Sequence, residues 1–493
     1  MSLNLADHDA TGLAELVRNK EISAEELVKA SIEAIDRVDV ELGAVVHRMA
    51  DEALSIAKNP PEGPFSGVPM AVKDFDGMVK GHPWTASTRF LEGFVPGHDS
   101  EALARLKRAG LIFVAKTKCP ELAILGTTEP EWRGPARNPW NTSHSCGGSS
   151  GGSGALVAAR AVPVAHGGDG GGSLRIPGSH NGVVGLKCTR GRIPMGPDWG
   201  EGWGGFVQWG VMTRTVRDTA ALVDVMAGPM PGDPYAAPLL ERPLREEMGV
   251  DPGKLRIAWS AASLYGKETH PEIRSAVQQT ARWLADLGHD VHEAAPTLDR
   301  HALVMGYLTQ VAVGVAAEVE ELERLVGKKA TASSFEPATW FLVQVGRSMP
   351  ALAMQHARDA AMAAGRTMAA FHEQYDVMLT ASVAHPPVRI GELALKSSER
   401  VGLGVLRVAP SGFALRKVLE GLAETNLEKT PNTQLFNQTG QPAISLPLHH
   451  TADGLPIGMQ LSAPMGGEGT LIRLSAQLEA AHPWIDRKPP VIA

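Results

Sequence analysis

The chain has 493 residues, of which 43% are hydrophobic and 20% are charged. This length allows two or three average domains or one large α/β core, and the apolar content excludes a disordered chain. The formal net charge of −7 is small for the length, which argues against nucleic acid as the main partner.

The first residues carry neither the basic cluster nor the apolar run of a secretory signal. No later segment is expected to supply the roughly 18 apolar residues that a membrane span needs. The cysteines, Cys119, Cys146 and Cys188, are odd in number and widely spaced, which is typical of reduced thiols and not of a disulfide framework or a zinc site. We therefore expect a cytoplasmic protein.

The first half of the chain is predicted to begin with helices and continue as alternating strands and helices. Two helices are predicted in 8–58, the second opening at a capping box from Ser23 to Glu26. Further along we predict a strand over 68–72, a helix over 100–109 and a strand over 112–114. The alternation indicates an α/β protein, with a large mixed and mostly parallel sheet covered on both faces by helices.

Two loops rich in glycine and serine lie at 147–154 and 167–173; we call them the first and second glycine loops. A short apolar segment between them is predicted to form a helix followed by a strand. Flexible linkers share this composition, but these loops are bounded by segments apolar enough for a core. Neither loop has the ending of a P-loop or the G-x-G-x-x-G spacing of a dinucleotide site. The remaining interpretation is a serine nucleophile beside backbone N–H groups that can hold an oxyanion.

A serine hydroxyl needs a base before it can attack a carbonyl carbon. Lys73 follows an apolar strand and loses hydration there, which favours the neutral form that accepts a proton. The rival base is His166, which could pair with Asp169 in a Ser-His-Asp arrangement, although its strand should direct it into the sheet. Metal-assisted hydrolysis has less support, because the chain contains no His-Glu-x-x-His motif.

Three separated motifs occur in order: Lys73 after its strand, the first glycine loop, and the run from Asp169 through Pro177 to Gly185-Leu186-Lys187. This combination resembles the amidase signature family, including the separation of 24 positions between Ser149 and Ser173. The resemblance extends through most of the chain. It implies the amidase signature fold and a Ser-Ser-Lys triad, with Ser173 as nucleophile, Ser149 as bridging serine after a cis peptide bond, and Lys73 as base.

The same resemblance implies an oxyanion hole made by backbone N–H groups. The residues that would supply them are Gly170, Gly171, Gly172 and Ser173. The chain departs from the family pattern at Gly170, where threonine or isoleucine is more common, and at Cys188, where proline is common. Neither departure affects a triad position.

Substrate contacts are expected near the motifs and in a segment, 196–210, that is rich in glycine and tryptophan. Its tryptophans either pack a surface loop or form an apolar wall for the substrate. Cys146 lies just before the first glycine loop, and Phe436 and Asn437 lie in a segment that resembles the core-closing part of the family. The candidate contacts are Cys146, Trp199, Trp203, Trp209, Phe436 and Asn437.

We expect one amidase domain over 1–493. Its parts are N-terminal helices in 1–66, the signature core with the triad in 67–228, a connector in 229–253, a second α/β part with a variable helical cap in 254–429, and a core-closing segment in 430–493. Within the second part, we predict a strand over 255–259, a helix over 271–287, a helical region over 301–372 and a strand over 376–382. The helical region is the part least similar to the family, so we expect it to govern substrate choice.

The expected function is a serine amidohydrolase that cleaves C–N bonds of small, hydrophobic secondary, aryl or cyclic amides through an acyl-enzyme on Ser173. No cofactor and no metal are expected. Within the family the chain is most similar to 6-aminohexanoate-cyclic-dimer hydrolases and acylamidases. We expect a small-molecule amide as partner, no nucleic acid and no membrane, with a homodimer as the assembly to test.

Three alternatives stay open. The same triad would serve an aryl carbamate, urethane or ester hydrolase. The A subunit of a glutamine-dependent tRNA amidotransferase is the second, although the glutamine that usually follows the arginine in that subfamily is absent after Arg175. The third is an inactive binding or scaffold protein, against which the intact Lys73, Ser149 and Ser173 argue.

Overall fold

The computed structural model describes residues 7–395, 415, 417–419, 421 and 427–493. The helices in these residues are α1 (Ala10–Arg18), α2 (Ala24–Leu42), α3 (Ala50–Ala57), α4 (Glu101–Arg108), α5 (Gly151–Ala158), α6 (Arg175–Asn181), α7 (Val216–Met226), α8 (Pro271–Asp286), α9 (Arg300–Val326), α10 (Pro337–Ser348), α11 (Ala351–Gln374), α12 (Gln434–Thr439) and α13 (Glu468–Ala481). The strands are β1 (Val45–Arg48), β2 (Pro69–Lys73), β3 (Ile112–Thr117), β4 (Arg137–Asn138), β5 (Asn141–Ser145), β6 (Val164–Asp169), β7 (Val184–Lys187), β8 (Gln208–Thr213), β9 (Arg256–Trp259), β10 (Asp290–Glu293), β11 (Val377–Ala381), β12 (Ala443–His450) and β13 (Pro456–Ser462).

Eleven of the described strands form one mixed sheet in the order β1-β3-β2-β6-β8-β7-β12-β13-β11-β9-β10. Strand β2 pairs in parallel with β3 and β6, and β9 pairs in parallel with β10 and β11. The other neighbouring pairs are antiparallel. Helices pack on this sheet, for example α6 on β12 and β13 and α8 on β11.

The predicted α/β class with a mixed sheet is therefore confirmed, but the parallel part is smaller than expected. The reason lies in the connections. β12 and β13 are joined by a short turn, which requires antiparallel strands, and β7 reaches β8 through a loop that contains no helix.

The N-terminal region has three helices and a strand where two helices were predicted. The capping box is present: Ser23 Oγ accepts the Glu26 N–H at 3.1 Å, and the Glu26 carboxylate accepts the Ser23 N–H at 2.9 Å. Helix α2 ends at Gly43, whose φ of +56° suits glycine. The missed strand, β1, has only four residues and forms because it pairs with β3, so it depends on a partner distant in sequence.

The buried apolar side chains form two clusters. The larger one joins the sheet to the first helices and includes Leu27, Val72 and Leu461. The smaller one includes Val315 and Trp340 from the helices α9, α10 and α11, which we call the cap. It also contains Met378 of β11 and Ala443 of β12, so it joins the cap to the sheet.

Helix α9 is the exception to the expectation that no segment could cross a membrane. By length and composition it qualifies as a candidate span, the one found among the described residues. However, 56% of its most apolar window is buried inside the protein, and α9 packs against both α10 and α11. Its apolar character on more than one side is explained by these two neighbours.

Candidate active site

Lys73 is the last residue of β2, a fully buried strand between β3 and β6. Its side chain is buried, and Nζ donates a hydrogen bond to Ser149 Oγ at 2.8 Å. Nζ also forms an ion pair with the carboxylate of Asp76, three residues later. The strand thus places the amino group of Lys73 between the hydroxyl of Ser149 and the carboxylate of Asp76.

The first glycine loop places Ser149. The peptide bond between Gly148 and Ser149 is cis, as the resemblance implied, and the residue itself is 1% exposed. A Cβ on Gly148 would lie 2.7 Å from the Leu125 carbonyl oxygen, so only glycine fits beside that backbone. The loop is therefore packed tightly against the residues that follow the 3-10 turn near Ala123.

Ser150 connects the two glycine loops. Its N–H donates to the Ser173 carbonyl oxygen at 3.2 Å, and its Oγ donates to the Gly168 carbonyl oxygen at 3.2 Å. These bonds hold the first loop beside the second. Lys73, Ser149 and Ser173 consequently line one cavity of about 480 Å³, a volume suited to a small-molecule ligand.

The N–H groups of the second glycine loop are not equivalent. The Gly172 N–H donates to Asp169 Oδ1 at 2.7 Å, so this donor is already engaged and we leave it out of the oxyanion set. In the part of the chain that the structure describes, the N–H groups of Gly170, Gly171 and Ser173 have no protein acceptor. These three donors stay available to a ligand.

A buried ion pair fixes the start of α6 to the second glycine loop. Arg175 Nη2 donates to Asp169 Oδ1 at 2.8 Å and Nε donates to Oδ2 at 2.9 Å, with both side chains fully buried. Asn437 Nδ2 adds a bond to Asp169 Oδ1 at 2.8 Å. Burial alone would raise the pKa of Asp169, but the charge of Arg175 and these hydrogen bonds outweigh it and lower the pKa to about 2. Asp169 is therefore a carboxylate at neutral pH.

The rival base His166 lies on β6 with its ring fully buried, as its strand position predicted. Neither ring nitrogen has a hydrogen-bond partner among the described residues. Burial, together with the nearby charges of Lys73 and Lys116, lowers the pKa of His166 to about 3. Because Asp169 is engaged by Arg175, the geometry does not form a Ser-His-Asp arrangement.

Of the six candidate substrate contacts, Trp199, Trp203 and Trp209 line the cavity. The Trp203 ring lies between two glycines. A Cβ on Gly170 would come within 2.9 Å of the ring, and a Cβ on Gly314 of α9 would come within 2.4 Å. The departure at Gly170 thus makes room for this tryptophan.

The other three candidates lie outside the cavity lining, and their prediction is corrected. Cys146 is fully buried, and its Sγ donates to the Ala136 carbonyl oxygen at 3.3 Å. Phe436 packs in the smaller apolar cluster, and Asn437 donates a hydrogen bond to Asp169. Resemblance of the surrounding segment did not reveal which way these side chains point.

Several cavity residues were missed by the sequence reasoning, above all Asp76 and, from the cap, Gln310 and Glu318. Asp76 could have been found, since it follows Lys73 by three positions. The cap residues carry no local signal, because they reach the cavity from α9, distant in the sequence.

Among the described residues there is no group of three or more His, Cys, Asp or Glu side chains that could hold a metal ion. The cysteines Cys119, Cys146 and Cys188 are buried free thiols, as predicted from their number and spacing.

A family model described as Amidase matches residues 26–472. The chain belongs to the amidase signature family. It is 38% identical over 491 residues to a 6-aminohexanoate-cyclic-dimer hydrolase of Pseudomonas sp. (strain NK87), covering 98% of this chain and 97% of that protein. This member of the family is accordingly a hydrolase that acts on the C–N bonds of amides.

Solved structures give the same family and fold. A 6-aminohexanoate cyclic dimer hydrolase complexed with substrate superposes on this amidase with a TM-score of 0.89 at 36% identity, covering 100% of both chains. A bacterial aryl acylamidase of the amidase signature family superposes with a TM-score of 0.86 at 25% identity, covering 98% of both chains. The predicted family and fold class are thereby confirmed.

Proposed function

We propose that this amidase is a serine hydrolase of small hydrophobic amides, namely secondary, aryl or cyclic amides, and that it acts through an acyl-enzyme on Ser173. The observation that carries the proposal is the hydrogen bond from Lys73 Nζ to Ser149 Oγ, 2.8 Å long, in a cavity that Ser173 also lines. A buried amino group in contact with a serine hydroxyl is positioned to move a proton.

The proposed reaction uses the triad in sequence. Neutral Lys73 takes a proton from Ser149, Ser149 takes one from Ser173, and Ser173 Oγ attacks the amide carbonyl carbon. The N–H groups of Gly170, Gly171 and Ser173 hold the oxyanion. The proton then returns to the leaving amine, and water hydrolyses the acyl-enzyme by the same route. Asp76, in contact with Lys73 Nζ, stabilises the ammonium group that forms.

The substrate class is inferred from the cavity walls and from the relatives. Trp199, Trp203 and Trp209 give the cavity broad apolar surfaces, which favour hydrophobic groups beside the scissile bond. The names of the relatives, a cyclic-dimer hydrolase and an aryl acylamidase, support cyclic and aryl amides. A cytoplasmic location is part of the proposal, and the three free cysteines support it.

The test compares the initial rates on an aryl anilide, a cyclic diamide, an aryl carbamate and a primary amide. Ser173→Ala is expected to lower kcat/KM at least about a thousandfold on every substrate that the parent cleaves. Lys73→Ala and Ser149→Ala are expected to lower kcat with less change in KM. Ser333→Ala, at an exposed serine outside the cavity lining, is the matched control and should leave the rates unchanged.

Each other result corrects a different part of the proposal. Equal rates for the parent and Ser173→Ala would contradict the proposal that the reaction passes through an acyl-enzyme on Ser173. A primary amide as much the best substrate would contradict the hydrophobic class, and a preferred carbamate would identify the carbamate alternative. If the parent cleaves nothing, the amidotransferase subunit and the binding protein become the better hypotheses.

A further inference from the structure

The second glycine loop contains one peptide group that is held at both of its polar atoms, the group between Gly171 and Gly172. Its N–H donates to Asp169 Oδ1 at 2.7 Å, and its carbonyl oxygen accepts a hydrogen bond from Thr433 Oγ1 at 2.6 Å. Thr433 lies just before α12, 262 positions further along the chain. The residue is fully buried and is not among those that line the cavity. Its hydroxyl therefore contacts the loop and not a ligand in that cavity.

The hydroxyl of Thr433 is used differently from what its place in the chain predicts. Thr433 is the N-cap residue of α12, where a threonine commonly accepts an N–H group of the first helical turn. Here the side chain makes no such capping bond. The carbonyl oxygen of Thr433 accepts from Arg175 Nη1 at 2.9 Å, and the same guanidinium donates to Asp169. One buried arginine thus fixes both residues that hold the peptide group.

Because glycine lies on both sides of this peptide group, the backbone alone does not fix its orientation. Glycine has the widest range of backbone conformations, and Gly172 has a φ of +123°, which other residues rarely adopt. Larger side chains have no space here: a Cβ on Gly172 would lie 2.3 Å from Thr433 Oγ1, and one on Gly171 would lie 1.9 Å from the Tyr307 hydroxyl oxygen. A rotation of the peptide group would also change the directions of the adjoining N–H groups of Gly171 and Ser173.

We propose that Thr433 is a positioning residue for the reaction: by holding the Gly171 carbonyl group, it keeps the N–H groups of Gly171 and Ser173 directed at the oxyanion. This inference rests on the proposed function, in which those two N–H groups are oxyanion donors. Donors that are in place before the reaction stabilise the transition state more than donors that must first be oriented. The hydroxyl of Thr433 therefore contributes to kcat and not to binding of the substrate in its ground state.

The first experiment measures the hydrolysis of an aryl anilide by three variants. Thr433→Val keeps the shape of the side chain but removes the donor, and it is expected to lower kcat by roughly 10- to 100-fold while KM stays within about threefold. Thr433→Ser keeps the hydroxyl and is expected to stay within about threefold of the parent in kcat. Thr280→Val is the matched control, because Thr280 is fully buried in α8, donates to the Ala276 carbonyl oxygen at 3.0 Å and lies outside the cavity lining. The control should lower the melting temperature but leave kcat unchanged.

A tetrahedral adduct gives a second readout that a structural role would not change. When Ser173 Oγ attacks an aryl trifluoromethyl ketone, an O–C bond forms, the carbonyl π electrons move to the oxygen, and the Ser173 proton passes to Ser149 as the Ser149 proton passes to Lys73. Thr433→Val is expected to weaken the binding of this ketone by the same factor by which it lowers kcat/KM, because the adduct resembles the transition state. In the Ser173→Ala background, the same substitution should leave the Kd of the anilide, measured by calorimetry, unchanged.

Three results would overturn this inference alone. They are a kcat of Thr433→Val equal to that of the parent, a Thr433→Ser variant as slow as Thr433→Val, and a ketone that requires Ser173 but binds Thr433→Val as tightly as the parent. Weaker anilide binding to Ser173→Ala, by the factor lost in kcat/KM, would assign Thr433 to ground-state binding and contradict the inference as well. A ketone that binds the parent and Ser173→Ala equally would instead contradict the proposed function, and this inference with it.

Discussion

The carboxylate of Asp169 organises the second glycine loop. Besides the bonds from Arg175 and Asn437, it accepts the N–H groups of Gly172 at 2.7 Å and Leu174 at 3.2 Å. These two bonds determine the course of the backbone on both sides of Ser173. A side chain with no direct role in the proposed chemistry therefore shapes the donors that the chemistry needs.

Asp169→Asn is expected to lower the free energy of unfolding by about 3–5 kcal/mol at pH 6, because Arg175 would stay buried without a counter-charge. The pKa of Asp169 is lowered in the folded protein, so its stabilisation is present above the unfolded pKa and is lost as the pH falls toward the folded one. The difference between parent and variant in urea unfolding should therefore shrink between pH 6 and pH 3.

The control for this prediction is Asp376→Asn. Asp376 pairs with Arg256 at 2.7 Å, but the side chains are 32% and 47% exposed, and exposed pairs contribute about 0–1 kcal/mol. A loss from Asp169→Asn no larger than that of the control would contradict the role assigned to the buried pair.

Helix α9 and the segment between β7 and β8 meet at Trp203. The residue has a φ of +47°, a left-handed conformation that bulky residues rarely adopt, and its ring is enclosed between Gly170 and Gly314. One face of the cavity thus depends on α9 and the second glycine loop, which both approach this ring closely because each carries glycine at the contact. The position of the cap and the shape of the cavity are coupled through this ring.

Two glycines in cap helices give a matched comparison. Gly314→Ala is expected to destabilise the protein by about 1–3 kcal/mol through overpacking, since its Cβ would lie 2.4 Å from the Trp203 ring, and to raise KM for aryl amides. Gly365→Ala on α11 meets no atom within 4 Å and is expected to stabilise by about 0.5–1 kcal/mol, as helix propensity predicts. Thermal unfolding of both variants checks the pair, and a stabilising Gly314→Ala would contradict the packing described for Trp203.

The sheet joins the two halves of the chain. Strands β12 and β13, from the C-terminal part, lie between β7 of the first half and β11 of the second. Ser445 of β12 pairs with Gly185 of β7, and Leu461 of β13 pairs with Leu379 of β11. Removing either half would leave these central strands with an unpaired edge.

We therefore predict one cooperative unfolding transition, as expected for the single domain inferred from the sequence. Far-UV circular dichroism and tryptophan fluorescence should give coincident urea curves, since backbone order and tryptophan burial would be lost together. Two separated transitions, one for 67–228 and one for 254–429, would contradict the single domain.

Much of the site's chemistry could be inferred before any fold was known. Lys73, Ser149 and Ser173 belong to motifs that can be recognised in the amino-acid sequence. The capping box, four consecutive residues that begin at Ser23, marks the start of a helix. The capping box was predictable because it depends on backbone preferences and hydrogen bonds between residues close in sequence. Lys73 and Ser149 are 76 positions apart, and their pairing was implied by the resemblance to the amidase signature family.

Tertiary structure decided in which direction the side chains point and which segments of the chain come into contact. Asn437 was expected to contact substrate and instead supports Asp169, while Glu318 reaches the cavity from a helix that no motif covers. The short strand β1 and the antiparallel share of the sheet depend in the same way on distant partners. The sequence by itself determined the candidate triad, because each of its three residues lies in a motif that resembles the amidase signature family. Only the tertiary structure decided which residues surround the triad. The burial of side chains, the pairing of strands and the contacts between helices all involve segments that are far apart along the chain.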